Sequence, residues 1–201
     1  MNQTFEEKLQ DALWAAHSLF SRGKTSGSSA NLSFLHDGQI YISASGSCFG
    51  TMKEGDFTPV SMDGHSAGEK KPSKEWPLHL ALYQKSPHIG AVIHTHSTYS
   101  VLWSFVPGQT EQDCIPVHTP YLKMKLGTVG LIPYETPGSE ALFSALRERA
   151  FQSDGYLLKN HGPLVPGKTV MDAFYCLEEL EESARIAWEL YRACLLYTSP
   201  S

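Results

Sequence analysis

Short apolar segments alternate with amphipathic ones along this chain, and this alternation constrains its fold more than any other feature. Thr4 and Glu7 form a capping box ahead of apolar residues at helical spacing, which predicts a helix over 4–20. Asp37-Gly38 indicates a hairpin between predicted strands at 32–35 and 39–43. The other predicted strands cover 57–62, 90–96 and 155–160, and the other predicted helices cover 74–84, 97–105, 138–151 and 169–193. Such interleaving favours one mixed sheet covered by helices, in an α/β or α+β domain.

Composition and charge narrow the class of protein. The 201 residues suffice for one compact domain, and an apolar fraction of 41% is that of an ordinary globular protein. A net charge of −5 and the lack of a basic cluster speak against nucleic-acid binding. The chain has a polar N-terminus and no apolar run of about 20 residues, so neither a secretory signal nor a membrane span is expected. Its scattered cysteines, without a CxxC pair, suit a reducing cytoplasm.

The C-terminal residues 194–201 read CLLYTSPS and depart from the helical pattern before them. They resemble a translated sequencing-adapter read-through and are therefore expected to be a non-native tail. The folded domain is expected to span 1–193, with its last helix ending near Ala193.

Two segments place histidines at strand ends. His94 and His96 follow an apolar run, and residues i and i+2 of a strand point to the same face, roughly 6.6 Å apart along the chain. On its own, this pair could equally be two solvent-facing histidines. His161 ends a second predicted strand, which Gly162-Pro163 is expected to stop. Three histidines leave one position open on a tetrahedral zinc ion, which is typical of catalytic zinc.

Glu75 precedes Trp76-Pro77 at a predicted helix start, where the helix dipole favours a carboxylate. We hypothesise that it occupies the open metal position without substrate and acts as a base with substrate. Taken alone, Glu75 would be interpreted as an ordinary N-terminal helix charge. Packing or surface positions are expected for the remaining histidines, which are His17, His36, His65, His79, His88 and His118. Of these, His79 lies one helical turn after Glu75 and could support the Glu75 side chain.

Five motifs occur in an order and spacing that resemble the class II aldolase/adducin family: GSSANLS (27–33), ISASG (42–46), PSKEWPLH (72–79), HTHS (94–97) and KNHGPLV (159–165). The resemblance extends from about residue 5 to 193 and implies one catalytic domain over 1–193. It implies a three-layer α/β/α fold with a central, mostly antiparallel sheet, and a homotetramer whose active sites lie between subunits. It also implies zinc on His94, His96 and His161, with Glu75 beside the metal.

The resemblance further implies a phosphorylated sugar or sugar acid as substrate. In the family, the small-residue loop, a strand-end turn and the segment before the glutamate bind the phosphate. Small residues let backbone N–H groups and hydroxyls approach an anion, and a lysine adds a point charge. As plain sequence, GSSAN would be a flexible loop. The matching positions here are Ser28, Asn31, Ser45, Gly46, Ser73 and Lys74.

Lys74 and TPYLKMKLG (119–127) resemble the branch of the family that decarboxylates 3-oxo-tetronate 4-phosphates. That branch implies dihydroxyacetone phosphate and carbon dioxide as products, formed through an enediolate. Glu75 and Tyr121 would move the protons, with Tyr121 reaching a neighbouring subunit's site. An aldolase or epimerase acting on a sugar phosphate such as L-fuculose 1-phosphate is the alternative, because it would pass through the same enediolate. A non-catalytic, adducin-like module is a third hypothesis, against which the three histidines and Glu75 argue.

Overall fold

The computed structural model describes residues 3–198, with the backbone alone for residues 195–198. Within that range, seven strands form one sheet in the order β3-β2-β1-β4-β7-β6-β5. Only β5 and β6 run parallel, and the other neighbouring pairs are antiparallel. The strands are β1 Asn31–His36, β2 Gln39–Ser43, β3 Phe57–Ser61, β4 Ala91–His94, β5 Val129–Ile132, β6 Gly155–Leu158 and β7 Gly162–Gly167.

Helices cover both faces of this sheet. One apolar cluster joins the sheet to α1, α3 and α6, and a second joins the opposite face to α2 and α5. The predicted three-layer α/β/α fold with a mostly antiparallel sheet is therefore confirmed. No helix in the described residues is both long and apolar enough to cross a membrane. The helices are α1 Phe5–Ser21, α2 Trp76–Lys85, α3 Thr98–Ser104, α4 Tyr121–Lys125, α5 Glu140–Arg149 and α6 Val170–Thr198.

The last helix was expected to end near Ala193, and this expectation is wrong. Helix α6 continues to Thr198. The residues that follow Ala193 contain neither glycine nor proline before Pro200, so no helix breaker acts at the expected end. Residues 199–201 lie outside the described range, and the non-native origin of 194–201 remains a prediction.

Strand β4 lies in the middle of the sheet and carries residues for both layers. Ala91 and Ile93 pack into the cluster under α1 and α6, whereas Val92 packs into the cluster under α2. Because side chains alternate along a strand, His94 points to the same side as Val92. The strand thus ends with an imidazole aimed at the helix that begins after Glu75.

Glu181 of α6 caps the N-terminus of α3, the helix that follows the segment His94-Thr95-His96. The N-cap residue of α3, Ser97, makes no side-chain capping hydrogen bond. Instead, the buried Glu181 carboxylate accepts hydrogen bonds from the backbone N–H groups of Tyr99 (3.0 Å) and Ser100 (2.9 Å), and from the Ser100 hydroxyl (2.7 Å). A carboxylate at this position also interacts favourably with the helix dipole.

Replacing Glu181 with alanine is expected to lower the free energy of unfolding by about 3 kcal/mol, because it leaves buried donors without an acceptor. Urea denaturation would measure the change. The matched control is Glu182→Ala, which removes a half-exposed carboxylate paired with Arg185 and should change stability by no more than about 0.5 kcal/mol. Equal losses in both variants would contradict a capping role for Glu181.

Candidate metal centre and phosphate cleft

The structure brings three imidazoles together at one end of the sheet. His94 ends β4, and His96 follows two residues later on the same side. Ring centroids are 5.1 Å apart for His94 and His96, and 4.7 Å apart for His161 with either of them. One nitrogen from each of the three histidines lies within 4.8 Å of the others. This set can hold a metal ion.

His161 lies in the turn between β6 and β7, so the expectation that Gly162-Pro163 stops the strand is wrong. These residues begin β7, because a proline removes one N–H donor but keeps its carbonyl as an acceptor. The Pro163 carbonyl accepts from the Thr95 N–H at 3.3 Å. Gly162 has a φ of +148°, and a Cβ there would lie only 2.1 Å from the Thr95 carbonyl oxygen. Glycine at this position therefore allows the β6–β7 hairpin to pack against the segment His94-Thr95-His96.

Hydrogen bonding and burial prepare the histidines as metal ligands. Nδ1–H of His94 donates to the Pro163 carbonyl at 2.8 Å, which leaves Nε2 with a free lone pair. Burial, reinforced by the neighbouring His96, lowers the pKa of His94 to about 3. Burial, together with His94, also lowers the pKa of His161 to about 3. Both rings are thus neutral at neutral pH, which is the form that binds metals.

Glu75 completes the group. It is the residue before α2 rather than part of its first turn, and its buried side chain makes no helix-capping hydrogen bond. Its Oε1 lies 3.3 Å from Nε2 of His161, and its Oε2 lies 3.5 Å from Nε2 of His94. Helix capping therefore does not explain why the Glu75 side chain is buried.

The spacing of the two buried imidazole nitrogens fits two ligands of one ion. Ligands at zinc distance on a tetrahedron are separated by about 3.3 Å. Nε2 of His94 and Nε2 of His161 are 3.2 Å apart, and each of these nitrogens lies near a different oxygen of Glu75, at 3.5 Å from Oε2 and 3.3 Å from Oε1, respectively. Oε1 of Glu75 is buried and has no hydrogen-bond partner among the described residues, as a metal ligand or a base would require. The residues present fit a zinc ion.

A cleft of about 480 Å³ opens beside these residues. Glu75, His96 and His161 line it, together with all six residues assigned to phosphate: Ser28, Asn31, Ser45, Gly46, Ser73 and Lys74. The Lys74 stem passes close to Gly138, where a Cβ would come within 3.0 Å of it. A second groove of about 450 Å³ lies at the opposite strand ends, near Ile89 and Gly167, and holds none of these groups.

Tyr121 does not belong to this cleft within one chain. It is the first residue of α4, it is 57% exposed, and it is not among the residues that line the cleft. Its assignment to a neighbouring subunit's site remains a prediction.

His79 was grouped with the packing or surface histidines, and the structure places it directly behind the cleft. It is fully buried, with Nε2 2.5 Å from Oδ1 of Asn31 and Nδ1 2.7 Å from the Ser33 hydroxyl. Asn31 in turn donates from Nδ2 to Oε2 of Glu75 at 3.1 Å. The four-residue spacing from Glu75 to His79 was the only signal for this link, because Asn31 and Ser33 are distant in sequence.

Comparison with known proteins gives a consistent result. A 3-oxo-tetronate 4-phosphate decarboxylase of Escherichia coli K12 is 40% identical over 187 residues, which cover 92% of this chain and 88% of that protein. An L-fuculose phosphate aldolase of Methanocaldococcus jannaschii is 35% identical, over 84% of this chain and 88% of that protein. The crystal structure of YgbL from Klebsiella pneumoniae superposes with a TM-score of 0.90 at 36% identity, over 94% and 92% of the two chains.

The family model described as Class II Aldolase and Adducin N-terminal domain matches residues 10–188. This range contains all five motifs, the three histidines and the cleft. The resemblance inferred from those motifs is thereby confirmed, and the chain belongs to the class II aldolase and adducin family.

Proposed function

We propose that this protein is a zinc-dependent lyase that decarboxylates a 3-oxo-tetronate 4-phosphate to dihydroxyacetone phosphate and carbon dioxide. One observation carries the proposal: three converging imidazoles, of which His96 and His161 line the cleft, lie with a buried glutamate beside a lysine and small hydroxyl residues of the same cleft. Its relatives named as such decarboxylases, at 37–40% identity, support the choice of substrate. The phosphorylated substrate also supports a cytoplasmic location.

In this proposal, His94, His96 and His161 would hold the zinc, and Glu75 would be a further ligand in the absence of substrate. Bound zinc supplies Lewis acidity, which stabilises the negative charge that develops on the substrate oxygens. The nitrogen-rich ligand set and the spacings near 3.3 Å support zinc.

The far end of the cleft would bind the phosphate and fix the orientation of the substrate. The hydroxyls of Ser28, Ser45 and Ser73 line it, and the absence of a side chain at Gly46 leaves its backbone accessible. Gly46 has a φ of +81°, a left-handed conformation that favours glycine. Lys74 adds a positive charge at the rim. Holding both ends of a small substrate lowers the entropic part of the barrier.

The remaining task is proton transfer. When the bond between the carboxylate carbon and C2 breaks, its electron pair moves toward the C3 carbonyl and leaves an enediolate. Glu75 takes the proton of the C2 hydroxyl and returns it to the same oxygen. Tyr121 of a neighbouring subunit delivers the one proton that C2 gains and recovers a proton from solvent, which completes dihydroxyacetone phosphate. Glu75 suits this role because it is buried beside the ligand set, with one oxygen that accepts no hydrogen bond.

An aldolase or epimerase acting on a sugar phosphate such as L-fuculose 1-phosphate is the second candidate. It would form the same enediolate after losing an aldehyde, and relatives named L-fuculose phosphate aldolase at 31–35% identity favour it. A non-catalytic, adducin-like module has no use for a buried glutamate beside three converging imidazoles.

Product analysis with the zinc-loaded protein distinguishes these candidates. Incubation with a 3-oxo-tetronate 4-phosphate should release carbon dioxide and dihydroxyacetone phosphate in equal amounts. L-Fuculose 1-phosphate should release little aldehyde. Aldehyde release without decarboxylation would instead favour the aldolase. Metal-loaded protein that turns over neither substrate would contradict both.

We also propose a homotetramer with active sites between subunits. Apolar side chains are exposed around α4: Tyr121 is 57%, Val117 62% and Met124 76% exposed. Contact with another subunit would cover them and bring Tyr121 to a neighbouring cleft. Light scattering combined with size-exclusion chromatography would measure the mass of the assembly.

Lys74→Ala is expected to raise KM for the phosphorylated substrate at least about tenfold, because a charge-assisted contact contributes about 1.5–3 kcal/mol. Steady-state kinetics would measure this, and an unphosphorylated analogue should be affected far less. The matched control is Lys71→Ala, which removes a nearby exposed lysine that does not line the cleft. Equal effects on both substrates would show that Lys74 does not bind the phosphate.

A further inference from the structure

A chain of buried hydrogen bonds connects the interior of the α2 layer to Glu75. The Tyr83 hydroxyl lies 2.8 Å from the Ser33 hydroxyl, which lies 2.7 Å from Nδ1 of His79. Nε2 of His79 lies 2.5 Å from Oδ1 of Asn31, and Nδ2 of Asn31 donates to Oε2 of Glu75 at 3.1 Å. All five side chains are buried.

The direction of each bond follows from the carboxylate at the end. An ionised carboxylate only accepts, so the NH₂ group of Asn31 must face Glu75 and its carbonyl must face His79. The proton of neutral His79 is then on Nε2, and Nδ1 accepts from the Ser33 hydroxyl. Ser33, having given its single proton, accepts from Tyr83. Every donor in this series of hydrogen bonds thus points toward Glu75.

His79 lies behind the cleft and not in it. It is fully buried and does not line the cleft, so it cannot touch the substrate directly. Burial, helped by the nearby His94, lowers the pKa of His79 to about 3, which keeps the ring neutral. A neutral ring carries a single N–H, and its contacts with Asn31 and Ser33 place that proton on Nε2, so His79 holds the Asn31 carbonyl and supports the orientation in which the Asn31 NH₂ group faces Glu75.

The two oxygens of Glu75 consequently differ. Oε2 accepts the hydrogen bond from Asn31, whereas Oε1 has no hydrogen-bond partner among the described residues and faces His161. We propose that His79 is a positioning residue that acts through Asn31 to hold Oε2, so that Oε1 is the oxygen that exchanges protons with the substrate. This inference rests on the proposed acid–base role of Glu75.

Two substitutions at His79 test the mechanism in the zinc-loaded protein. His79→Leu removes the N–H that orients Asn31 and should lower kcat about 10–100-fold with zinc retained, as for other partners of metal-site residues. His79→Gln can place an amide N–H near the position of Nε2 and should restore kcat to within about fivefold of the wild type. A His79→Leu variant that folds, binds zinc and keeps kcat within twofold would overturn the proposal. So would a glutamine variant no better than leucine, because packing alone would then explain the loss.

Tyr156→Phe controls for general destabilisation. It removes another buried polar group in the same layer, whose hydroxyl donates only to backbone carbonyls. It should lower the melting temperature without a comparable fall in kcat. If Tyr156→Phe reduced kcat as much as His79→Leu, destabilisation would account for both, and the positioning role would be wrong.

Nitrogen-15 NMR of histidine-labelled protein tests the hydrogen-bond directions without any substrate. Nε2 of His79 should carry the proton and Nδ1 should not, and the reverse tautomer would overturn the proposal. The correct tautomer in a protein that turns over neither candidate substrate would contradict the proposed function while leaving the orientation of Asn31 supported. Failure of the positioning role of His79 can therefore be distinguished from failure of the proposed function.

Discussion

Glu75→Gln is expected to lower kcat by about 10²–10⁴-fold while the fold and the bound zinc are retained. Glutamine has nearly the same shape as glutamate but cannot take up a proton. The side-chain amide of the new glutamine would also have to lie against the Asn31 amide, which in the unsubstituted protein donates to Oε2 of Glu75. Steady-state kinetics and metal analysis of the same preparation would measure both quantities.

Glu69→Gln is the matched control, since it changes an exposed glutamate that precedes the same helix and does not line the cleft. It should leave turnover and zinc content unchanged. Near-wild-type turnover of Glu75→Gln would remove Glu75 from the mechanism. A loss of zinc in proportion to activity would show that Glu75 serves as a ligand rather than as a base.

The second large effect concerns Tyr121 and the assembly. Tyr121→Phe and His94→Ala should each be nearly inactive, but their mixed oligomers should regain activity. Some interfaces then combine an intact metal site on one chain with an intact tyrosine on its neighbour. Random assembly through one type of head-to-tail interface would restore about one quarter of the sites.

Activity of mixed oligomers is interpretable only if subunits exchange, which differently tagged chains and native mass spectrometry would establish. The control mixture combines His94→Ala with His161→Ala. Both chains then lack a metal ligand of the same site, so no interface can be complete. If exchange occurs and the Tyr121→Phe mixture stays inactive, the shared-site proposal is wrong.

Patterns close in sequence were sufficient to predict much of this molecule. The capping box at Thr4 and Glu7 correctly marked the start of α1, and its hydrogen bonds are present in the structure. The alternation along β4 correctly placed His94 and His96 on one side. Five ordered motifs were sufficient for the family and the fold, and each of them contributes at least one residue to the same cleft.

The features that sequence reasoning missed depend on contacts between distant segments. Pro163 was interpreted as a strand breaker, yet its carbonyl accepts from His94 at the end of β4 and from Thr95, which no local pattern reveals. The spacing from Glu75 singled out His79, but a packing or surface position was preferred for it, because its partners come from β1 and are distant in sequence. Strand β5 was missed because Val129–Ile132 is too short to show a clear period.

The position of β4 between β1 and β7 also determines when the proposed metal site can form during synthesis. His94 and His96 leave the ribosome well before His161, and β4 has only β1 to pair with until the β6–β7 hairpin emerges. Glu181, which caps α3, is translated later still. A nascent chain therefore exposes an incomplete ligand pair while the residues between His96 and His161 are being added. Selection of the correct ion falls to the nearly finished domain, in which β4 and β7 already hold the imidazoles at their final separation.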